Sequence, residues 1–430
     1  MKIQKASFKK LASYSLIVVG LTLVIGTIFL QSNLGKELTI KGRQYVQLNL
    51  HQNWGVKLAL LECADFLLTL LPQQQILPFD RDKSDAGFDR AKIIDSHSIK
   101  AISLVAPKLY QVSSEVGLRK AMLSAHAGDV ILLAPGNYFV PKRLEVRHNG
   151  TLDRPIRIVA SSPGNSVLHI QNTEGIYLDK ANWHIENIVF KGACKQQRYC
   201  EHAIHLYGNA DNTQIINNQF IDFNAAVKAN GNYQHKPAWF ADNVTITNND
   251  FFNHSYRNTM TPATPIDVVG GNNWLIDKNF IADFARTLTG KISVTYGGFL
   301  KGGGANGVFS NNVINCAWRL PYQSSLDVRV GLSFGNGGTQ GEFCQSQHCE
   351  YEHTGGKIKD NLVLNCINDV SIYLNKAAAS EITGNRLLNS LGIDARFKQT
   401  SVNINHNIVD GRIKARDNAF ISQRDNDMVN

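Results

Sequence analysis

Between residues 185 and 409 the chain repeats one short pattern of apolar and polar positions. An aliphatic or aromatic residue is followed three positions later by asparagine, and two later by another apolar residue. The copies are Ile215/Asn218/Phe220, Ile246/Asn249/Phe251, Ile276/Asn279/Ile281, Phe309/Asn312/Ile314, Ile358/Asn361/Val363, Ile382/Asn385/Leu387 and Ile404/Asn407/Val409. The asparagines are spaced by 31, 30, 33, 49, 24 and 22 residues. Ile185/Ile188/Phe190 is an earlier copy without the asparagine. Alternating apolar positions turn one side of a short strand inward. A period of roughly 20–50 residues with short strands indicates a solenoid or a propeller. The units are too short for a propeller blade and carry no blade signature. Coils stacked about 4.8 Å apart would pair each strand with its neighbours and align the asparagines in a ladder. This predicts an all-β fold, a right-handed parallel β-helix. Asparagine tolerates the left-handed conformation and bonds nearby backbone, so each copy is read as the residue at a sharp bend. Spacings of 22 and 24 fit one minimal coil, those near 30 fit coils with loops, and 49 implies a hidden coil or a large insertion.

Ahead of the repeat, Ser114–Ala125 reads as a capping helix, with Val116, Leu118, Ala121, Met122 and Ala125 spaced for one face, ending at Gly128-Asp129. A strand then starts at Val130, and Pro135–Tyr138 reads as a turn. Val56–Leu71 is apolar, broken by Lys57, Glu62 and Asp65 and stopped by Pro72. It reads as an amphipathic helix packed on the main domain or lying on a membrane surface. Asp80–Asp95 is polar and loop-like.

The N-terminus changes the picture. Lys2, Lys5, Lys9 and Lys10 precede an uncharged stretch from Leu11 to Leu30. Twenty residues at 1.5 Å rise span about 30 Å of hydrocarbon. The lysines favour a cytoplasmic N-terminus and place the remainder outside, either periplasmic or extracellular. The stretch exceeds the usual signal core of about 7–15 residues, and Gln31–Gly35 offers no clear cleavage site. A signal anchor, a single transmembrane helix, is therefore favoured over a cleaved signal peptide. The division expected is a tail and anchor over 1–35, a connector over 36–100, and the β-helix over 101–425.

The 430 residues carry a formal net charge of +9. Residues 1–50 hold seven Lys/Arg against one acid, Glu37, so most of that excess lies beside the anchor. The β-helix region is nearly balanced and has no Lys/Arg-rich run, which sets nucleic acid aside as a partner. Seven cysteines fit an oxidising compartment. Cys194/Cys200 and Cys344/Cys349 are close enough for local loops, and Cys316 and Cys366 become neighbours if the repeats stack, leaving Cys63 over. Some could instead be buried thiols. Cys194, Cys200, His202 and His205 have a spacing that matches no standard structural zinc site.

The stretches AGDVILLAPGNY (Ala127–Tyr138), NGTLDRPIRIVAS (Asn149–Ser161) and WHIENIVFKG (Trp183–Gly192) accompany the asparagine ladder. Together they resemble the pectate-lyase-like right-handed β-helix proteins, and most of all the family of alginate lyases and chondroitinase B, over roughly residues 100–425. The resemblance implies β-elimination on an acidic, uronate-containing polysaccharide. Such chemistry needs a neutralised carboxylate, a base for the C5 proton and an acid for the leaving oxygen. In that family a lysine is the base, and FLKGGGANGVFSNNVI (Phe299–Ile314) places Lys301 at its position. The chain departs from the family at two points. Phe334 and Gly335 stand where an Arg-His pair would be, so Arg319 or Arg329 would have to substitute. Tyr296-Gly297-Gly298 stands where a calcium-binding glutamate would be, so the resemblance's calcium has no matching ligand.

Each candidate also has a plainer reading. Lys301 could be an exposed lysine before a glycine turn. Gly302–Gly304 lack the GK[ST] of a phosphate loop. Arg319 and Arg329 read as solvated loop arginines able to fork a carboxylate. His353 could reach a groove as acid or base, or lie in a surface loop. Tyr233, His235, Lys236 and Trp239 form an aromatic and basic loop suited to sugar binding, or to simple loop packing. Asp267, Asp277, Asp283 and Asp327 form no recognisable hydrolase pair. Three functions remain: a membrane-tethered polysaccharide lyase, a non-catalytic polysaccharide-binding or export-associated protein, and a uronate epimerase or glycoside hydrolase.

Overall fold

A computed structural model describes residues 35, 37–43, 60–64, 66–67, 75–91, 107–289, 291–336 and 338–429. The expected anchor lies outside these residues. Among those described, no helix is long and apolar enough to cross a membrane. Residues Ile76–Thr289 and Ser293–Val429 form one compact unit. In the other unit, residues 37–43 are helical, as are 60–64 and 66–67, the described part of the expected amphipathic helix.

The larger unit is a parallel β-helix. Each coil contributes one strand to each of three parallel sheets, which hold 12, 11 and 10 strands among the described residues. We call these the first, second and third sheets, in the order the chain visits them. Inward residues stack in columns, because every register pairs like with like. One column runs Ile185, Ile215, Ile246, Ile276, Phe309, Ile358, Ile382 and Ile404, all fully buried. In the second sheet Phe190, Phe220 and Phe251 stack face to face at 5.1 and 4.7 Å. Burying each such side chain contributes roughly 1.5–3 kcal/mol.

The asparagines form the expected ladder, by a different device from the one the sequence implied. Asn249 Nδ2 donates to Thr247 O, to Ile215 O one coil back, and to Asn279 Oδ1 one coil on. Its Oδ1 accepts from Asn218 N and Nδ2. The left-handed bend is made by the residue before each rung: Asn217, Asn248, Lys278, Asn311, Asp360 and His406 have φ of 53–57°, and Gly384 takes the same place. The side chain that bends the chain and the one that ties the coils are therefore adjacent, not the same. Asn312 bonds directly to Asn361, so the 49-residue spacing is one coil with insertions. The ladder also extends beyond the sequence pattern at both ends. Ile188 N donates to Asn218 Oδ1, and Asn407 bonds to Asn426.

The N-terminal end is covered by the helix Glu115–Ser124, capped by the Ser114 hydroxyl. Leu118, Ala121, Met122 and Ala125 face the core, but Val116, in the first turn of the helix, is exposed. The expected turn at Pro135–Tyr138 closes sooner: a strand already runs Gly136–Val140. Segment 76–91 is not free loop. Leu77 exchanges backbone bonds with the Asn365 amide, Phe79 stacks on Phe280 at 5.6 Å, Arg81 pairs with Asp250 at 2.8 Å, and Asp89 bonds Asn217. It runs along the second sheet and covers apolar side chains, including Phe252, Phe280 and Val313, that the sheet turns outward.

The cysteine pairing matches the sequence reading. Cys194–Cys200, Cys316–Cys366 and Cys344–Cys349 are disulfides, and Cys63 is free and exposed. Three disulfides are what a chain folded in an oxidising compartment carries. They also remove zinc as a reading of the Cys194 region, since both sulfurs there are spent.

Candidate active site

The outward face of the third sheet gathers the ionisable residues. Register places Tyr177, His205, Lys228, Asp267 and Phe299 in one row across neighbouring strands. Lys301 ends the strand Ser293–Lys301, beside Val269 and two residues past Phe299. Its alternation with Leu300, which packs inward, turns Lys301 out of the core and onto this face. Gly302 and Gly303 then reverse the chain with φ of 75° and 83°. A Cβ at Gly302 would lie 2.7 Å from Val269 Cγ1 and 2.9 Å from Gly270 N, so the turn requires glycine.

Lys301 is half-buried. Its Nζ lies 4.6 Å from the Phe299 ring centroid and donates to Asn336 Oδ1 at 3.3 Å. Burial pulls its pKa below the ordinary lysine value, and Lys228 adds to the fall, while Asp267 and Glu352 oppose it. Lys228 Nζ donates to Asp267 Oδ1 at 2.7 Å. Burial works against the Asp267 charge, yet Lys228 and Lys301 outweigh it and hold the carboxyl below its usual range. Glu201 goes the other way: burial raises its pKa, and the neighbouring Asp267 charge adds to the rise. His202 is driven down to about 4, mainly by burial, and its Nδ1–H donates to Ala225 O at 2.9 Å. One cluster thus holds an amine pushed toward neutrality, a carboxyl kept ionised, a carboxyl pushed toward protonation and a neutral imidazole. Titratable groups pushed apart in this way are what acid–base chemistry uses.

Two loops border this face at the C-terminal ends of its strands. The loop 231–240 and the disulfide loop 338–352 meet where Tyr233 Oη donates to Phe343 O at 3.1 Å and the two rings pack edge to face. Glu352 fastens the second loop to the turn after Lys301. Its carboxylate accepts from Gly302 N at 2.9 Å, and from Thr339 N and Oγ1. Gln345 bonds the same region through Gly302 O and Gly271 N.

The sequence candidates separate on this frame. Lys301 sits in the cluster. Tyr233 is spent on joining the loops. His235 and Trp239 stack at 3.5 Å, and Trp239 and Lys236 are exposed. His353 is turned inward against Phe334 at 4.4 Å, and its Nε2 accepts from Gly307 N. It is buried, not in a surface loop, and burial lowers its pKa to about 3. Arg329 is not a solvated arginine. It is wholly buried, paired with Asp327, and donates to Cys316 O, Leu320 O and Pro321 O, clamping the insertion after Cys316. It is level with Thr295, six residues before Lys301, or about 20 Å along the strand. Arg319 stacks on Trp318 at 3.6 Å near Phe252 of the second sheet, away from the Lys301 face. Asp277 lies on the first sheet, bonded to Ser310, and Asp283 caps the Trp318–Leu320 backbone. Sequence reading missed Glu201, Lys228 and Asn336 and the anchoring by Glu352, because nothing local marks them, and it weighed His202 and His205 only as zinc ligands.

The calcium implied by the resemblance does not fit. Tyr296 is a buried phenol packed edge-on to Phe299, and a Cβ at Gly297 would lie 2.6 Å from Gly331 O, so neither residue offers a ligand or room. Among the described residues no group of three or more His, Cys, Asp or Glu is placed to hold a metal.

No family model and no curated protein matches the chain. Solved structures do. An alginate lyase from Paenibacillus sp. strain FPU-7 matches at 15% identity, covering 65% of this chain and 94% of that one, with a TM-score of 0.42. A PL6-family polysaccharide lyase from Pseudopedobacter saltans matches at 13% identity, covering 74% and 92%, with a TM-score of 0.42. The catalytic unit of a GH87 α-1,3-glucanase from Streptomyces thermodiastaticus matches at 13% identity, covering 81% and 70%, with a TM-score of 0.44.

Proposed function

We propose that this protein is a membrane-tethered, extracytoplasmic polysaccharide lyase that cleaves a uronate-containing polymer by β-elimination on the outer face of the third sheet. The observation that supports this reading is Lys301: a half-buried amine, lowered in pKa and hydrogen-bonded to a neutral amide, beside the Lys228–Asp267 pair. A neutral fraction of Lys301 takes the C5 proton of a bound uronate. The C–H electrons form the C4–C5 double bond, and the glycosidic C4–O bond breaks. The Lys228 ammonium and the Asn336 amide are the basic and amide groups available to balance the uronate carboxylate. The leaving oxygen takes its proton from solvent, because Glu201, the carboxyl with a raised pKa, lies six residues before the level of Lys301 on its own strand. The basic, apolar N-terminus supports the tether, and the three disulfides support the compartment.

A second reading draws on one observation. Glu201 and Asp267 are pushed in opposite directions, as the acid and the base or nucleophile of a glycoside hydrolase are. One experiment separates the two. The detergent-solubilised full chain is incubated with alginate, pectate, glycosaminoglycans and neutral glucans, following ultraviolet absorbance and new reducing ends together. A lyase gives both signals, and a hydrolase gives reducing ends alone. Neither signal with any polymer refutes catalysis.

A further inference from the structure

On the two strands that precede the Lys228 strand, the same face carries a shelf of aromatic rings. Tyr177 and Tyr207 stand on adjacent strands with centroids 5.6 Å apart. His205 packs edge-on to both, at 5.5 and 6.0 Å. The shelf is held rigidly. His205 Nδ1–H donates to Glu174 Oε1 at 2.7 Å, and its Nε2 lies 2.7 Å from Asn230 Oδ1. Arg143 lies over the Tyr177 ring at 4.4 Å, fixed by Glu145 and Glu174. Tyr207 Oη donates to Asn232, the start of the loop 231–240. Both tyrosines are half-buried, so each keeps part of its surface open to solvent.

The shelf also lines up with the reaction centre. Tyr207 pairs with Asn230, and Val269 with Lys301. The Ala229–Val268 pairing puts Asn230 level with Val269. Tyr207, Asn230, Val269 and Lys301 therefore form one row across four strands, three spacings or about 14 Å long. Arg143 is already balanced by two glutamates, so the shelf offers ring faces and hydrogen-bonding groups more than charge. Aromatic faces of this kind suit the C–H faces of pyranose rings, and rings fixed in advance lose little entropy on binding.

We propose that Tyr177 and Tyr207 are a saccharide-binding platform, which takes pyranose units of the polymer whose uronate lies at Lys301. The polymer then runs along the stacking axis, across the strands. The inference rests on the reading of this face as a polysaccharide groove, and names a binding subsite of it.

The test uses the full chain in detergent with Lys301→Ala, so that polymer is not consumed, and affinity electrophoresis through gels containing alginate, pectate, chondroitin sulfate or neutral glucan. Tyr177→Leu and Tyr207→Leu keep apolar bulk without a ring, and Tyr207→Phe keeps the ring. Each Leu variant should weaken retention by about three- to tenfold, the worth of one aromatic contact, and Tyr207→Phe should not. With Lys301 restored, the Leu variants should raise KM for long polymer, leave kcat unchanged, and leave disaccharides unaffected. Unchanged retention in both Leu variants, with thermal unfolding as in the parent, overturns the platform even if polymer is cleaved. Lost retention without cleavage by any form keeps the platform and refutes the lyase reading instead. Retention lost equally in Tyr207→Phe also overturns it, because the ring would then not be the binding element.

Discussion

The carboxylate of Glu352 accepts the backbone N–H of Gly302 at 2.9 Å, one residue beyond Lys301. It also holds Thr339 of the disulfide loop, so one buried side chain joins that loop to the turn that aims the amine. Its charge favours the protonated amine, whereas Lys228 disfavours it. Since the base is the neutral amine, two substitutions should move the acidic limb of kcat/KM against pH in opposite directions. Glu352→Gln should lower the pKa of Lys301 and shift the limb to lower pH. Lys228→Met should raise the pKa and shift the limb up. A pH–rate profile reads both, and a shared direction would show that the limb does not belong to Lys301.

Lys301→Ala should cut turnover by about 10²–10⁴-fold, the usual worth of a positioned base, with the thermal midpoint nearly unchanged. Lys301→Arg should not restore it, because a guanidinium stays protonated. Retained activity in either variant would remove Lys301 from the mechanism.

The ladder and the bends should respond differently. Asn312→Ala leaves the Asn279 and Ile276 backbone groups it serves unpaired and buried, and should cost roughly 2–4 kcal/mol in urea unfolding. Asn311→Gly, at the exposed left-handed bend next to it, should change stability by no more than about 1 kcal/mol.

Arg329 and Asp327 form a wholly buried pair. Arg329→Met leaves a buried carboxylate without its partner, and should destabilise by about 3–5 kcal/mol. The loss should appear in unfolding and in protease cutting within 316–326, while the kcat of the folded fraction stays near the parent value.

His353 supplies a pH dependence of stability. Its folded pKa is about 3, against about 6.5 unfolded. Above pH 6.5 both states are neutral and no difference arises. Below it the unfolded chain takes up a proton that the folded one refuses, so stability falls by up to about 1.4 kcal/mol per pH unit until the folded value is reached. His202, lowered to about 4, acts in the same sense. In His353→Asn, thermal midpoints measured from pH 7 to 4 should fall less steeply than in the parent, whatever the starting value.

Several features were legible in the chain because they obey a local rule. The alternation of apolar residues gave the strands, and the phase of the asparagines gave the rungs. The disulfide pairs followed from short loops and from stacking. Lys301 was singled out by the resemblance of its segment, Phe299–Ile314, to the lyase family's. The rung at Asn426 escaped because Gln423 stands where the pattern expects an apolar residue, and its apolar partner Met428 lies in the last strand. The 76–91 segment escaped because a polar stretch gives no sign of the apolar sheet it covers.

What surrounds Lys301 was settled only by the tertiary structure. Lys228, Asp267 and Lys301 follow their ladder asparagines by 10, 18 and 22 residues, so loop length hides their common phase. Alternation tells whether a side chain points in or out. It does not tell which outward side chains become lateral neighbours, because that depends on how far each coil's loops carry the chain before it rejoins the stack. The same limit applies to Arg329, charged and just after a long insertion, which reads as solvated until the insertion folds back to place its carbonyls on the guanidinium. The sequence determined the helix and its spacing, through repetition of a local pattern. The stacking of unequal coils decided which residues share a field, and so which amine is lowered, which carboxyl is raised, and where a polymer could lie.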